Sequence, residues 1–324
     1  MMTGAVLSGA GGVWQVRTEA GETVDASLRG RLKKSNSGKR ADGSLRRDTV
    51  AAAAETLKLA VGDDVLLEPG ARGEAWAIAE ILPRRSKLAR RAPGGGQGER
   101  IVAANIDQVV IIFAAAKPEP HPRMLDRFLV IAEGNALAAR IVINKVELVG
   151  EAEARERFGV YEQIGYPVHY TSVKAVIGLE DLRSALAGRR SVFTGPSGVG
   201  KSSLLNALFP GANLRVGAIS ESVEKGRHTT VGARMLPLPG DDGVGGYVID
   251  TPGLREVGLW ALPAEHLDRC FPELRALRDE CRFADCRHIA EPDCAVRDAL
   301  QDGRVSPQRY DSYTRLLEDL EAER

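Results

Sequence analysis

The stretch that decides the fold is a glycine-rich loop in the second half of the chain. It reads Gly195-Pro196-Ser197-Gly198-Val199-Gly200-Lys201-Ser202, and Ser203 follows directly. This loop matches the P-loop pattern G-x-x-x-x-G-K-S, with strand character before it and helical character after it. Glycines let backbone N–H groups surround a phosphate, and the helix N-terminus favours negative charge. We therefore expect a nucleotide-phosphate site in which Lys201 reaches the β- and γ-oxygens and the Ser202 hydroxyl coordinates Mg²⁺.

The segments on either side of the loop alternate between strand and helix. Strand patterns cover residues 109–116, 140–143, 167–170, 191–194 and 246–249, and helical patterns begin at Pro122 and cover 202–209. Continuous apolar runs are typical of parallel strands that are buried on both faces. Alternation of this kind predicts a multi-domain α/β protein whose central domain has a doubly wound sheet.

Two polar stretches after the P-loop are candidates for the parts that respond to the γ-phosphate. Asp250-Thr251-Pro252-Gly253 follows a strand, so the Asp250 carboxylate can support the Mg²⁺ shell and the Gly253 N–H can meet the γ-phosphate. Upstream lies Gly226-Arg227-His228-Thr229-Thr230. One threonine there, Thr229 or Thr230, is expected to complete the Mg²⁺ shell, and the sequence leaves open which one.

The motif expected to select the base precedes the P-loop. Asn144-Lys145-Val146-Glu147 stands at the end of a strand and is similar to the Asn-Lys-x-Asp motif of GTPases. In that motif the carboxylate accepts hydrogen bonds from the guanine N1–H and N2 amino group, a donor pair that adenine lacks. Glu147 replaces the expected Asp, so an ATPase is an alternative if Glu147 does not select guanine. Thr171, Ser172 and Val173 lie where a backbone donor to guanine O6 is expected.

The order of these motifs is unusual. GTPases ordinarily run from the P-loop through the switch and Asp-x-x-Gly to the base-reading motif, whereas here the base-reading motif comes first. The sequence therefore resembles a circularly permuted GTPase, with GTP and GDP as ligands. In this order, residues 250–253 lead directly through 254–262 into the C-terminal region. A switch that responds to the γ-phosphate is therefore covalently joined to that region.

The C-terminal region contains a cluster of potential metal ligands. Cys281, Cys286, His288 and Cys294 offer three thiolates and one imidazole in one short stretch. These four ligands complete a tetrahedral shell for a structural Zn²⁺ and leave no open position for a catalytic water. Cys270 is spare and is expected to lie in the core.

The N-terminal region has a different pattern. Short strand-like segments at 5–7, 13–17, 64–67 and 76–82 are separated by glycine turns, which predicts a small β-barrel or sandwich. A Pro/Gly-rich stretch at 92–98 marks a linker. Residues 29–47 and 84–100 are rich in Lys and Arg, which favours RNA binding by this region. We therefore expect three domains: residues 1–91, an OB-fold RNA-binding domain; 92–260, a circularly permuted GTPase domain; and 261–324, a helical zinc-binding domain.

Composition narrows the function classes. The 324 residues carry 44 basic and 44 acidic side chains, so bulk charge does not argue for a nucleic-acid partner. No apolar run approaches the roughly 20 residues that cross a bilayer, and the N-terminus lacks the pattern of a signal peptide. We therefore expect a cytoplasmic protein without a membrane partner. Nothing in the sequence indicates a dimer, so a monomer is expected.

Taken together, the motifs resemble one family, the circularly permuted GTPases that depend on the small ribosomal subunit (RsgA type). The resemblance is carried by residues 28–32, 61–63, 85–90, 104–108, 144–147, 195–203, 226–230, 250–253 and the cysteine–histidine set. It implies an OB-fold domain, a central GTPase and a C-terminal zinc domain. It also implies binding to the small (30S) subunit and its rRNA late in subunit maturation, with slow GTP hydrolysis that the subunit stimulates.

The residue after Gly253 bears on the rate of hydrolysis. Leu254 stands near the position where Ras-like enzymes place a water-orienting glutamine, and leucine cannot orient water. Either another group orients the water, or the intrinsic rate of hydrolysis is low. His228, beside the switch threonines, is the nearest candidate by sequence, and we hypothesise that it positions the attacking water once the ribosome orders the switch. A second interpretation is a nucleotide-gated rRNA-binding assembly factor, in which hydrolysis only resets binding.

Overall fold

The fold is given by a computed structural model that describes residues 1–29, 59–70, 76–91, 99–210, 233–240, 243–250 and 262–322. The strands are β1 (Met2–Ala10), β2 (Val13–Thr18), β3 (Thr23–Leu28), β4 (Asp64–Glu68), β5 (Trp76–Ile81), β6 (Lys87–Arg91), β7 (Glu99–Ala104), β8 (Gln108–Ala114), β9 (Ala138–Asn144), β10 (Val168–Tyr170), β11 (Arg190–Thr194), β12 (Arg234–Gly240) and β13 (Gly243–Asp250). The α-helices are α1 (Pro122–Gly134), α2 (Glu151–Gln163), α3 (Leu179–Leu186), α4 (Lys201–Leu208), α5 (Pro272–Arg275), α6 (Ala295–Gln301) and α7 (Pro307–Ala322). Short 3₁₀ helices cover Val146–Leu148, Ala264–Cys270 and Arg278–Glu280.

The described residues fall into two compact units. The first contains the described parts of 1–107 together with 188–192, β12 and β13. The second contains 108–187, 193–210 and 262–322. All of the described α-helices lie in the second unit, and none of them is both long and apolar enough to pass through a bilayer.

Strands β1 to β5 of the first unit close into a barrel in the order β1-β2-β3-β5-β4. Neighbouring strands are antiparallel except β3 and β5, which pair in parallel. Inward-facing apolar side chains fill the barrel, among them Val6, Val16, Val65, Leu67 and Ile78. Of the barrel and the sandwich that the short strands and glycine turns allow, the structure has the barrel. A closed five-stranded barrel also confirms the OB-type fold that the family resemblance implies. Strand β3 and the antiparallel β6–β7 hairpin are additions that the sequence pattern does not predict.

A polar junction in the first unit joins the turn at 61–64 to the start of β11. The Gly62 carbonyl accepts hydrogen bonds from Asn105 Nδ2 (3.0 Å) and Arg190 Nη1 (3.0 Å). Arg190 also donates to Asp64 (2.7 Å), and its backbone N–H donates to Asp107 Oδ2 (2.8 Å). The stretches 61–63 and 104–108, which carry part of the family resemblance, therefore meet in one hydrogen-bonded junction.

A six-stranded sheet has the order β10-β9-β8-β11-β13-β12. Strands β8, β9 and β10 are parallel neighbours, and β11 and β13 also pair in parallel, whereas the edge strand β12 is antiparallel to β13. The chain moves outward from β8 through α1 and α2 and then returns through α3 to β11, on the other side of β8. Right-handed crossovers place helices that follow opposite directions of travel on opposite faces of a sheet. The predicted doubly wound sheet is thereby confirmed, with one antiparallel edge strand in addition.

The C-terminal helices of the second unit pack against α1 through a buried ionic network. Helix α7 places Arg309, which is 0% exposed, between two carboxylates. Arg309 Nη1 donates to Asp126 Oδ1 (2.6 Å), and Arg309 Nε donates to Glu273 Oε1 (2.7 Å). The Tyr161 hydroxyl also donates to Asp126 Oδ1 (2.8 Å). Burial and the negative charge of Asp126 raise the pKa of Tyr161 well above its ordinary value, so this hydroxyl stays a donor.

Candidate functional site

The P-loop lies between β11 and α4. Strand β11 is buried along nearly all of its length, and α4 begins at Lys201 with Gly200 as its N-cap. The Lys201 side chain, which is only 5% exposed, folds back over the loop. Its Nζ donates to the carbonyls of Gly195 (3.0 Å) and Pro196 (2.7 Å). Because the first N–H groups of a helix have no partners within the helix, this end of α4 can bind an anion beside the Lys201 ammonium.

Two glycines of the loop occupy positions that other residues do not fit. Gly195 has a φ of +138°, and a Cβ there would collide with the Ile112 carbonyl of β8. Gly200 has a φ of +93°, and a Cβ there would stand 2.6 Å from Asn144 Nδ2. Residues with a side chain are strained in this part of φ/ψ space. The fixed glycines of the motif are therefore required by the close approach of β8 and of a side chain from β9.

Asn144 ties the base-reading motif to the P-loop. It is the last residue of β9 and is buried. Its Nδ2 donates to the Val199 carbonyl (2.9 Å), and its Oδ1 accepts from the Thr171 hydroxyl (3.2 Å). The Thr171 backbone N–H in turn donates to the Ile143 carbonyl (2.8 Å). One amide group thus connects the ends of β9 and β10 with the P-loop.

Lys145 makes a second connection to the same loop. The residue has a φ of +63°, and its Nζ donates to the Gly198 carbonyl (2.6 Å) and to the Lys117 carbonyl. Lys117 belongs to the segment between β8 and α1, which the sequence patterns do not assign to the site. The contact uses a backbone carbonyl, and a backbone carbonyl leaves no signal in the sequence. The β8–α1 segment is therefore a part of the site that only the structure reveals.

The remaining candidates for base recognition are Glu147 and the residues at 171–173. Glu147 is exposed in the first turn of the 3₁₀ helix that follows Lys145. Thr171 and Ser172 are buried, and the backbone N–H groups of both are already paired, that of Ser172 with the Ile177 carbonyl (3.1 Å). The Ser172 hydroxyl accepts a further hydrogen bond from the same loop. Of the three consecutive residues 171–173, only Val173 keeps a backbone N–H without a partner in the described part of the chain.

Some of the other predicted site residues lie in described elements, and the rest lie outside the described residues. Ser197, Gly198 and Val199 lie in the loop, and the buried Ser202 and half-buried Ser203 lie in the first turn of α4. Asp250 ends β13, which is the neighbour of β11 in the sheet. Its side chain lies outside the description, as do all of His228, Thr229, Thr230, Gly253 and Leu254.

The three C-terminal cysteines and the histidine converge on one point. One donor atom from each of Cys281, Cys286, His288 and Cys294 lies within 4.8 Å of the others. His288 Nδ1 is 3.6 Å from Cys281 Sγ and 3.4 Å from Cys294 Sγ. In a tetrahedral shell with Zn–S and Zn–N bonds of about 2.3 and 2.0 Å, a nitrogen and a sulfur ligand stand about 3.5 Å apart. The cluster therefore fits a tetrahedral metal ion that is bound through Nδ1.

Burial shapes the chemistry of this cluster. It raises the pKa of the Cys286 thiol to about 12 and raises the pKa of Cys294 above its ordinary value. Metal ligands must be thiolates, so a bound cation is what would keep these sulfurs ionised at neutral pH. Cys270 is also buried, but it lies in the Ala264–Cys270 turn and is not one of the clustered donors.

The backbone that carries the cluster is held from two sides. The hydroxyls of Tyr310 and Tyr313, on α7, donate to the carbonyls of His288 (2.6 Å) and Arg287 (2.8 Å). The Glu291 carboxylate accepts hydrogen bonds from three backbone N–H groups of the same loop. Burial acts to raise the pKa of Glu291, but these hydrogen bonds outweigh it and hold the pKa at about 2. The ligand loop is therefore anchored to α7 and closed by an internal carboxylate.

Asn144 and Lys145 precede the P-loop in the chain, and both hydrogen-bond to it. This order of the two motifs is expected where a GTPase domain has been circularly permuted. Fold and site thus define the class: a circularly permuted P-loop GTPase that follows an OB-type barrel. Comparison with known proteins narrows this class. The family model described as RsgA GTPase matches residues 81–260. The chain belongs to the RsgA GTPase family.

Similar proteins extend the match to the full chain. A small ribosomal subunit biogenesis GTPase RsgA from Gemmatimonas aurantiaca is 56% identical over 98% of this chain and 97% of its own length. The protein of that name from Ectopseudomonas mendocina is 44% identical over 81% of this chain and 75% of its own length. The crystal structure of YjeQ from Thermotoga maritima, which is 32% identical, superposes with a TM-score of 0.77 over 100% of this chain and 99% of that one. YloQ, described as a circularly permuted GTPase, is 26% identical and superposes with a TM-score of 0.70 over 100% and 96%.

Proposed function

We propose that this GTPase binds the small (30S) ribosomal subunit and assists its late maturation, with slow hydrolysis of GTP that the subunit stimulates. The observation that carries the nucleotide assignment is the hydrogen bond of 2.9 Å between Asn144 Nδ2 and the Val199 carbonyl. This bond supports the proposal that the base-reading motif and the phosphate loop form one nucleotide site. The ribosomal assignment is supported by the relatives, whose names describe small ribosomal subunit biogenesis. We place the protein in the cytoplasm, as a monomer.

In the proposed complex, the P-loop backbone surrounds the β-phosphate. Lys201 exchanges two neutral carbonyl partners for oxygens of the β- and γ-phosphates. The phosphate oxygens carry negative charge, whereas the carbonyls are neutral, so the Lys201 ammonium gains a charge–charge attraction and the exchange favours nucleotide. Glu147 accepts hydrogen bonds from the guanine N1–H and N2 amino group. The Val173 N–H donates to O6, while Thr171 and Ser172 hold the loop in position.

Mg²⁺ accompanies the nucleotide in this proposal. The residues that would hold it are Ser202 and Asp250, with Thr229 or Thr230 completing the shell. Ser202 fits this role because it lies at the buried start of α4, directly after Lys201. Bound Mg²⁺ would neutralise charge that develops on the β- and γ-phosphate oxygens. The Gly253 N–H meets the γ-phosphate and reports its presence to the residues that follow.

We assign the positioning of the attacking water to His228, since the Leu254 side chain cannot hydrogen-bond to it. His228→Ala should lower subunit-stimulated turnover by about 100-fold or more, the usual scale for a lost general base or water-orienting group. The affinity of the His228→Ala variant for GDP should stay unchanged. His266→Ala, which removes a histidine of the C-terminal segment, is the matched control. Stimulated turnover that survives His228→Ala contradicts this role.

RNA binding is assigned to the first of three proposed domains, with boundaries at 1–91, 92–260 and 261–324. OB barrels bind single-stranded nucleic acid through a basic, loop-rich face. The basic residues after β5 do not contribute equally. Arg84 pairs with the buried carboxylate of Asp63 (2.6 Å) and so supports the fold. Arg85 pairs with Asp107 (3.0 Å), but its side chain is 61% exposed and can reach a phosphate.

Zinc is the proposed metal of the cluster formed by Cys281, Cys286, His288 and Cys294. Three thiolates and one imidazole complete a tetrahedral shell, so the ion has a structural role. Its binding free energy becomes folding free energy for the surrounding segment.

GTP turnover with and without purified small ribosomal subunits tests the proposal. We expect slow turnover by the protein alone, a several-fold rise with small subunits and no rise with large subunits. Binding to the subunit should weaken steeply as salt increases, because Lys and Arg contacts with phosphates release counterions. Lys201→Ala should abolish GTP binding and therefore both rates.

Three other outcomes would each change the assignment. If ATP displaces labelled GDP as well as GTP does, Glu147 does not select guanine and the protein is a less specific NTPase. If small subunits neither bind nor stimulate, the ribosomal assignment fails while the GTPase assignment stands. If nucleotide controls subunit binding but turnover is not stimulated, a nucleotide-gated rRNA-binding assembly factor is the correct description.

A further inference from the structure

The metal cluster contains a buried polar atom that the ligand set does not use. His288 is fully buried, and its Nδ1 faces the sulfurs of Cys281 and Cys294. Its other ring nitrogen, Nε2, is buried without a hydrogen-bond partner among the described residues. Buried polar atoms in folded proteins almost always have a partner, so an orphan at this position needs an explanation.

A carboxylate stands close to this nitrogen. Asp268 Oδ2 lies 3.6 Å from His288 Nε2, and the Asp268 side chain is 5% exposed. The carboxylate is held in place by two other groups. Arg278 Nε contacts Oδ2 at 2.7 Å, and the Arg269 backbone N–H donates to Oδ1 (2.9 Å). Asp268 therefore cannot rotate away from the imidazole without breaking both of these interactions.

We infer that Asp268 is a positioning residue of the metal centre, which accepts a hydrogen bond from His288 Nε2–H while Nδ1 binds the metal. An imidazole binds a metal only through the nitrogen that carries no proton. A carboxylate opposite Nε2 keeps the proton on that nitrogen, so Nδ1 is the free ligand. The separation of 3.6 Å exceeds the usual N–H···O limit by about 0.4 Å, which a small rotation of the ring removes.

This arrangement extends the metal centre beyond its own loop. Asp268 belongs to the Ala264–Cys270 turn, which packs on α1, whereas the four ligands all lie after Glu280. Metal binding thus stabilises the contact between the ligand loop and this turn as well as the loop itself. The inference rests on the proposed zinc site and adds Asp268, with Arg278 behind it, as residues that orient a ligand.

Metal affinity of the full-length protein tests this role. With Zn²⁺ and Co²⁺ as probes in chelator competition, Asp268→Ala should weaken binding by about 10- to 100-fold. Asp268→Asn keeps an acceptor oxygen, so it should recover part of this loss. Asp293→Asn is the matched control, because Asp293 is 66% exposed and pairs with Arg282 rather than with a ligand. Equal affinities for Asp268→Ala and the unsubstituted protein would overturn the inference.

A second measurement avoids any effect of the substitutions on folding. Nitrogen-15 NMR of the histidine rings in the zinc-loaded, unsubstituted protein identifies which nitrogen of His288 carries the proton. We expect the proton on Nε2 and the metal on Nδ1. Metal on Nε2 would overturn the role of Asp268 and leave the zinc site standing. Absence of binding to either Zn²⁺ or Co²⁺ would remove the zinc site and the inference together.

Discussion

Replacement of Arg309 by methionine removes the only cation of the buried network that joins α7 and α5 to α1 in the described structure. The Arg309 side chain is 0% exposed and donates three hydrogen bonds to two carboxylates, at 2.6, 2.7 and 3.2 Å. Methionine fills a similar volume but leaves Asp126 and Glu273 buried without a counter-charge. Breaking a buried ion pair from one side costs about 3–5 kcal/mol. For a unit of this size, we expect the melting temperature to fall by roughly 6–20 °C.

The two units allow the effect to be located. All of the described α-helices lie in the unit that contains Arg309, so far-ultraviolet circular dichroism reports mainly on that unit. Trp14 and Trp76 lie in the barrel, so tryptophan fluorescence in a Trp260→Phe background reports on the other unit. Arg309→Met should move the helical transition to lower temperature and leave the fluorescence transition in place. Because the chain has two units, the two signals are fitted separately.

Two variants complete this experiment. Arg315→Met removes an arginine from the same helix, but its pair with Asp311 is exposed to solvent, so the loss of stability should be small beside that of Arg309→Met. Adding Asp126→Asn and Glu273→Gln to Arg309→Met should restore much of the stability, because neutral amides are less costly to bury than carboxylates. If Arg309→Met costs no more than Arg315→Met, the buried network does not stabilise the C-terminal helices and the argument from burial is wrong.

Three further predictions concern the nucleotide site and the sheet. Asn144→Ala leaves the Val199 carbonyl without its partner, so labelled-GDP affinity should fall by about 10- to 100-fold; an unchanged affinity would contradict the proposed link between base motif and P-loop. Glu147→Ala should reduce the preference for GTP over ATP in competition assays without weakening phosphate binding, whereas Glu147→Asp should keep it; equal preference in all three proteins would show that Glu147 does not read the base. Burial and a neighbouring guanidinium lower the pKa of His169 to about 4. Its neutral form is therefore favoured by folding, and stability should fall as pH drops from about 6.5 to 4, an effect that urea unfolding should show and that His169→Gln should flatten.

The parts of the fold with strong local signals could be predicted from sequence. Strand β8 contains a continuous apolar run at 109–114, and β9 and β11 contain shorter apolar stretches at 141–143 and 192–193. Helix α1 has a proline start and a clear apolar stripe. Strand β12 was not predicted because Pro237 and Pro239 suppress a strand signal. Prolines are tolerated there because β12 is an edge strand with one neighbour in the sheet. Helix α2 also has a weak signal, because it buries Ala154, Phe158 and Tyr161 and most of its other residues are charged or polar.

The candidate site could likewise be predicted only where the sequence signal is local. The identities of Gly195, Gly200, Lys201 and Asn144 follow from motifs whose chemistry is local. The contacts that hold the site together are long-range and use backbone carbonyls, as in the bond from Lys145 to Lys117. Their partners could not be inferred, because any residue can offer a carbonyl. The role of Asp268 was equally hidden, since an isolated aspartate before a cysteine cluster has no distinctive pattern.

The hydrogen bond from Asn144 to Val199 also sets an order of events during synthesis of the chain. Val199 follows Asn144 by 55 residues, so at roughly 5–20 residues per second the amide waits about 3–11 s for its partner to be translated. Thr171 is made in between, so the β9–β10 edge can form first. In an unpermuted GTPase the phosphate loop is made first and the base-reading strand closes the pocket. Here the phosphate loop is made after the base-reading strand, so a nascent chain cannot capture nucleotide until β11 and α4 have left the ribosome.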